Sequence, residues 1–321
     1  MLICPHSGIG NQIGNYVFGQ FLIYLGIAQG DTDLSKNTPQ NIDLKYLFSD
    51  DETIDRTFVL NKFNTNLIPA AKEDIERFLK AKAAFPLYFA LIKNISERKK
   101  EYFNSYYKVL TRIRTKYGIY PFKTPSLMAK TVSYRDVLEK FSKNTAAASK
   151  LFENTAVCDC YSPIKEFFDP VFREKIRGHF VLKEELDEKN TEISERIKAC
   201  KNSVGVHIRR GDYIGLKIPV VKKEFLLSKM KFIQEKYPDA RFFIFSDGMD
   251  WARENLKSDM EFDLHFVDIN DETKGYLDFV LLNNCRHRVY SASSFSKWTE
   301  YLNPYKDSIE FTPEGKDLTV E

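Results

Sequence analysis

The sequence is poor in the features that mark several large protein classes. It has five cysteines in 321 residues, at Cys4, Cys158, Cys160, Cys200 and Cys285. An odd, scattered set in a long chain does not make the disulfide framework of a small secreted domain, so a reduced, intracellular protein is expected. Cys158 and Cys160 stand too close for the C-x2-C of a zinc knuckle, and no histidine pair nearby would complete four ligands. Net charge is small: 48 Lys plus Arg against 45 Asp plus Glu leaves +3, too little for a dedicated nucleic-acid binder unless it is concentrated locally. Long apolar runs are missing too. The uncharged stretch Met1–Gln29 has no basic leader and is interrupted by Asn11, Gln12, Asn15 and Gln20, while the apolar Ala83–Ile92 contains Pro86. Neither supplies the ~20 apolar residues needed to cross a bilayer, and no transmembrane span is expected. There is no internal repeat and no low-complexity tract.

What remains is a globular profile, with 43% hydrophobic, 14% aromatic and 29% charged residues. The length suits two domains of about 150 residues each. Leu2-Ile3-Cys4 reads as a short buried strand, followed by a glycine-bearing turn and a helix over Asn11–Ala28. From Pro69 to Tyr117 the pattern is helical and amphipathic, through Ile75, Phe78, Leu79, Leu87, Leu91 and Ile95; a second helical stretch covers Tyr134–Phe152. Asp187–Cys200 is polar with one amphipathic face. The domain boundary is placed beside it, giving a helix-rich domain over 1–195 and a second domain over 196–321. After Asn202 strands and helices alternate. Strands are predicted at Val204–Ile208, Arg241–Phe245, Leu264–Val267 and Arg288–Ser291, and helices at Lys222–Tyr237, Met249–Leu256, Glu272–Asn284 and Phe295–Leu302. Such alternation predicts an α/β fold with a parallel sheet covered on both faces, whose ligands sit beyond the carboxyl ends of the strands.

The turn Ser7–Asn15 carries Gly8, Gly10 and Gly14. This is G-x-G-x3-G, one residue longer than the dinucleotide fingerprint, and no acidic residue closes a second strand, so a nicotinamide or flavin cofactor is disfavoured. Its backbone N–H groups, with Gly10 allowing close approach and Asn11 and Gln12 offering amides, suit a sugar or phosphate. The alternative is a tight turn that binds nothing.

The segment Val204–Tyr213, VGVHIRRGDY, is the most informative. A buried strand ends in an imidazole, two guanidiniums and a carboxylate. Burying two arginines uncompensated is prohibitive, so they meet an anion there. Alternation puts His207 and Arg209 on one side and Arg210 on the other, so the two have different tasks. One grips a phosphate while the other is braced by Asp212 or another carboxylate. The alternative is an internal Arg–Asp network without a ligand. Phe242–Asp247 delivers Ser246 and Asp247 at a strand's carboxyl end, where Asp247 either meets a ribose, base or acceptor hydroxyl or caps the next helix. Ser291–Phe295, with Ser293 and Ser294, opens a helix and forms either an anion cradle or a plain N-cap.

Other features read as ordinary. Asp31-Thr32-Asp33 has the D-x-D form of a metal site but follows a helix and a glycine, as a turn would. His6, His179, His265 and His287 are isolated. Lys93–Lys116 holds eight basic residues interleaved with Tyr102, Phe103, Tyr106 and Tyr107. It is either a solvated helix face or a surface for anionic lipid.

Taken in order, these blocks resemble the inverting fucosyltransferases of glycosyltransferase family 11. HIRRGDY (His207–Tyr213) is similar to the family's H-x-R-R-x-D-Y signature, GIGNQIGNYVFG (Gly8–Gly19) to its N-terminal block, FIFSDGMDW (Phe243–Trp251) to its F-S-D block, and Tyr276–Asn303 to its terminal block. Ala292, Lys297, Ile9 and Gly14 depart from the family pattern. The resemblance implies a GT-B architecture of two facing Rossmann-like domains, an acceptor-side domain with a helical insertion and a GDP-sugar-binding C-terminal domain. It implies no cofactor and no metal. It implies Arg209 on the β-phosphate, His207 and Asp278 near the nucleoside, Ser293 or Ser294 at the diphosphate, and Asn11 as a contributor from the other domain. Phe295, Arg210, Asp247, Gly10 and Gln12 complete the expected GDP-fucose site; Arg209, Asp212 and Asp247 are the expected catalytic set, with Asp212 and Asp247 as candidates for a general base.

The expected activity is metal-independent transfer of fucose, with inversion, to a galactose hydroxyl, O2 by the resemblance. Rival readings are another GDP-sugar or linkage, and a non-catalytic nucleotide- or glycan-binding protein of the same fold. The expected partners are GDP-fucose and a galactose-containing, lipid-linked or free acceptor, with no nucleic acid. The expected location is cytoplasmic, peripheral on the inner face of a membrane.

Overall fold

The computed structural model describes residues 2–3, 8–24, 45–46, 58–69, 131–132, 156–157, 162–163, 165–256 and 262–321. Cys4, Cys158, Cys160, Asp31–Asp33, the basic segment Lys93–Lys116, the helix expected at Tyr134–Phe152 and all of Pro69–Tyr117 but its first residue lie outside the described residues. The chain divides into two units, Met1–Val181 and Leu182–Glu321.

Among the described residues the first unit has five two-residue strands, β1 (Leu2–Ile3), β2 (Lys45–Tyr46), β3 (Ile68–Pro69), β4 (Thr131–Val132) and β5 (Ala156–Val157). All pair in parallel, in the order β3-β2-β1-β5-β4. Pro69 ends a strand rather than starting a helix. The helix after β1 runs from Ile9 to Tyr24. It carries no charged residue, and Ile13, Tyr16, Val17 and Phe18 are fully buried. Phe21 meets Phe167 and Phe172 at ring distances of 5.0 Å each. The helix Pro170–His179 starts with proline at its first position and with Asp169 as N-cap, whose carboxylate accepts from Phe172 N and from Tyr24 Oη, both at 2.9 Å.

The second unit contains β6 (Ser203–Ile208), β7 (Val220–Val221), β8 (Arg241–Ser246), β9 (Asp263–Phe266), β10 (His287–Val289), β11 (Glu310–Phe311) and β12 (Leu318–Thr319). The order β11-β10-β6-β8-β9 is parallel throughout, and β7 and β12 form a separate antiparallel pair. The expected α/β class with parallel sheets holds in both units. Strand alternation divides the core in two. Val204, Val206, Ile208, Phe242 and Ile244 pack with Leu226, Met230 and Ile233, whereas Phe243 and Phe245 pack with Ile197, Leu281, Leu282 and Cys285. Gly205 lets the helix Gly275–Asn284 lie close, since a Cβ there would fall 2.4 Å from Leu282 Cδ1 and 3.1 Å from Cys285 Sγ.

The helix Glu188–Ala199 buries Ile197 in this second core, which is why the division falls at 181/182 and not at the expected 195/196. Among the described residues, no helix is long and apolar enough to cross a membrane.

Candidate functional site

Because β6 lies between β10 and β8, the carboxyl ends of three strands are neighbours, and each delivers polar side chains. Ser291, just past β10, ties two of them: its hydroxyl donates to His207 O at 2.9 Å and accepts from Arg209 N at 2.8 Å. Ser246 does the same on the other side, donating to Ile208 O at 2.9 Å and accepting from Gly248 N at 3.0 Å. These hydroxyls replace the ladder bonds that the strands stop making where their chains turn away.

Arg209 stands on the site thus formed. Its Nη2 pairs with Asp212, three residues on, and its Nη1 lies 2.6 Å from Asp247 Oδ2. Its guanidinium also lies 5.2 Å over the Tyr213 ring. The side chain keeps 20% of its surface exposed. A guanidinium has five N–H donors, so two carboxylate contacts leave donors over for a further anion. Gly211 is required for this approach, since a Cβ there would lie 2.4 Å from Asp247 Oδ2.

His207 is buried, stacked on Phe295 at 4.6 Å and 17°, with Nδ1 2.7 Å from Ser296 Oγ. Burial, and then the Arg209 charge, push it down to about 3, so the ring is neutral at neutral pH. Ser293 is the N-cap of the helix Ser294–Leu302, its hydroxyl accepting from Ser296 N at 3.2 Å. The first turn of that nine-residue helix therefore opens beside His207, through Phe295 and Ser296, with its positive dipole end there.

Arg210 faces the opposite way. It is 6% exposed, lies 4.0 Å over the Trp251 ring and pairs with Glu321. Its expected place in the donor site is thus taken by an internal pair, because a guanidinium this buried needs a carboxylate of its own. Asp212 and Asp247, read as candidate bases, both brace Arg209; Asp247 Oδ1 also accepts from Arg210 N at 2.6 Å.

Asp278 lies on the helix Gly275–Asn284, where its Oδ1 accepts from Asn270 Nδ2 at 2.7 Å. Asn270 and Asn190 exchange amide hydrogen bonds at 2.9 and 3.0 Å. Burial pushes Asp278 up to about 7. The next residue, Phe279, meets Phe295 edge-on at 5.4 Å, which connects this network to the His207 stack.

Gly10, Asn11 and Gln12 belong to the first unit. Gly10 and Gln12 are buried in the opening turn of the helix Ile9–Tyr24, and Gln12 Oε1 accepts from Val59 N at 3.0 Å. That acceptor serves the fold. Asn11 N donates to Gly8 O at 3.0 Å, and its own carbonyl accepts from Asn15 Nδ2 at 3.0 Å. Among the described residues, no group of three His, Cys, Asp or Glu could hold a metal ion. Ser296, Trp251 and Glu321 were not singled out by their residue type. Ser296 alone had a signal, the three-residue spacing from an N-cap serine.

The blocks that build these strand ends fall within residues 85–316, which match the glycosyl transferase family 11. The chain belongs to glycosyltransferase family 11. This family member is 30% identical to the galactoside alpha-(1,2)-fucosyltransferase 1 of Saimiri boliviensis boliviensis and 31% identical to that of Aotus azarae, each over 141 residues. Each alignment covers 40% of this chain and 38% of the relative, so the chain matches well under half the length of these curated relatives. Among solved structures it is similar to fucosyltransferase NodZ from Bradyrhizobium, with TM-score 0.47, 14% identity, and 100% and 98% of the two chains covered. It is similar also to POFUT1 in complex with GDP-fucose, with TM-score 0.40, 13% identity, and coverage of 97% and 96%.

Proposed function

We propose that this protein transfers fucose from GDP-fucose to a hydroxyl, O2, of a terminal galactose, with inversion at the sugar and without a divalent cation. The observation that carries the reading is Arg209, held partly exposed at the carboxyl end of β6 by Asp212 and Asp247. Family membership and the partial likeness to galactoside alpha-(1,2)-fucosyltransferases support the sugar and the acceptor.

In this reading the acceptor hydroxyl oxygen bonds the sugar C1 from the opposite face as the bond between C1 and the phosphate oxygen breaks, and the hydroxyl proton passes to water or to the departing phosphate. Negative charge builds on the departing GDP. Arg209 and the free N–H groups of the helix start are already in place to stabilise it, so little reorganisation is needed at that moment. Asp212 and Asp247 keep the guanidinium from turning away. Neutral His207 and Phe295 form a flat wall beside it.

Replacing Arg209 by Ala is expected to lower kcat by at least the 10²–10³-fold, on the order of that seen when single oxyanion donors are removed, and to weaken GDP binding. Transfer is measured with GDP-fucose and β-galactosides, with and without EDTA; near-normal turnover of the variant defeats the reading. Offering other GDP-sugars and analysing the linkage of the product separates the fucose reading from its neighbours. We further propose a cytoplasmic enzyme that sits peripherally on the inner face of a membrane through Lys93–Lys116. Co-sedimentation with anionic vesicles at low salt, lost at high salt, is the expected result.

A further inference from the structure

Arg210 is the second cation at the end of β6, and it faces the core that contains Trp251. Both of its terminal nitrogens meet Glu321, Nη2 on Oε2 and Nη1 on Oε1, the second at 3.4 Å. A guanidinium that is 6% exposed cannot keep its place without a counter-charge, and Glu321 is the carboxylate that contacts it. Glu321 is brought there by β12, whose residues Leu318 and Thr319 pair with Val221 and Val220. The bond from Lys222 N to Asp317 O, 2.9 Å, extends the tie by one more step.

Arg210 is also a main-chain donor. Its N–H bonds Asp247 Oδ1 at 2.6 Å, and Asp247 Oδ2 lies 2.6 Å from Arg209 Nη1. The side chain of Arg210 is pressed against the turn that carries Asp247, for a Cβ on Gly248 would lie 3.1 Å from Arg210 Cβ. Movement of the Arg210 side chain therefore moves the amide and the turn that together orient Asp247.

We propose that Glu321 is a positioning residue. By fixing Arg210 it orients Asp247, and through Asp247 it aims the Arg209 guanidinium. The inference rests on the reading of Arg209 as the group that binds the donor diphosphate. Glu321 is 42% exposed, so part of its attraction for Arg210 is screened by water, and the effect expected is moderate.

The test uses the full chain carrying Glu321→Gln, Glu321→Asp, Arg210→Met, and Glu321→Gln with Arg210→Met. GDP affinity is measured by calorimetry, KM for GDP-fucose and kcat by transfer, and the indole environment by tryptophan emission. Glu321→Gln is expected to weaken GDP binding and raise the donor KM by about tenfold, a change of ~1.4 kcal/mol. Glu321→Asp is expected to recover most of it. In the Arg210→Met background the Gln substitution is expected to change neither quantity, because no buried cation remains to be held. Glu321→Gln with the parent's GDP affinity and KM, or with an undiminished penalty beside Arg210→Met, overturns the proposal. Should Glu321→Gln alone fail to fold, the double variant decides: GDP affinity equal to that of Arg210→Met supports the coupling, and weaker affinity refutes it. Failure of the underlying reading looks different. There Arg209→Ala keeps its activity, while Glu321→Gln still shifts the Trp251 emission and does so only when Arg210 is present.

Discussion

Asp278 and His207 lie on neighbouring elements and respond to burial in opposite senses. His207 is pushed down to about 3, and His179 and His287 to about 4, by burial first in each case. Unfolded, each takes up a proton near pH 6.5, which the folded protein refuses until pH 3 to 4. Their stabilisation is therefore present above pH 6.5 and is lost as pH falls through that window. Asp278, raised to about 7, holds a proton that the unfolded chain releases near 3.8, so its contribution is lost as pH rises from about 4 to 7. Asp278→Asn keeps an acceptor for Asn270 and removes the ionisation. The expected outcome, by thermal denaturation, is a Tm advantage over the parent that is largest at pH 8 and shrinks as pH falls toward 4; an advantage that does not change between pH 8 and pH 4 would contradict the assigned burial cost. At this scale the placement of Arg209 was legible, because the apolar alternation of β6 put it at a strand end on the His207 side. The partner of Arg210 was not legible: Glu321 is 111 positions away, and no local pattern links the two.

The short helix Gly211–Gly215 shows how an element can work against its own residues. It ends with Lys217 at φ 53°, its N–H on Ile214 O at 3.1 Å, and with Ile218 N on Tyr213 O at 2.9 Å. That is a Schellman ending, in which glycine is favoured because a Cβ in the left-handed region costs ~1–2 kcal/mol. Lys217→Gly is expected to stabilise the protein by about 0.5 kcal/mol or more, after subtracting the extra freedom glycine has when unfolded, read as a raised denaturation midpoint. A lowered midpoint would mean that the lysine makes a compensating contact. The longer elements of the second unit were legible to within a residue or two: β6, β8 and the helices Lys223–Lys236 and Ser294–Leu302 combine apolar periodicity with clear ends. One boundary differs because Glu272–Lys274 forms a separate 3₁₀ turn before the helix Gly275–Asn284. Two-residue strands such as β2, β3, β7, β11 and β12 were missed, since a period of two needs more than two residues to show itself.

For the molecule as a whole, the parallel sheet of the second unit was expected from the alternation after Asn202 and that of the first from the family resemblance alone, whereas the position of the division followed from packing that polarity alone does not reveal. Ile197 commits its helix to the second core. If the second unit carries the donor site, GDP at a hundredfold excess over its Kd stabilises the folded protein by ~2.7 kcal/mol, seen as a raised Tm that Arg209→Ala removes. An unchanged Tm in the parent would show that no nucleotide binds.

Two guanidiniums of this unit are buried against carboxylates that come much later in the chain. Arg288, fully buried, pairs with Glu310 at 2.9 Å, and Arg210 pairs with Glu321. During synthesis Arg210 leaves the ribosome well before Glu321, 111 residues on, exists. A nascent chain stopped short of Glu321 would have to keep that cation hydrated, and so keep the end of β6 open. Translation timing, rather than sheet pairing, then decides when this end of the sheet can close.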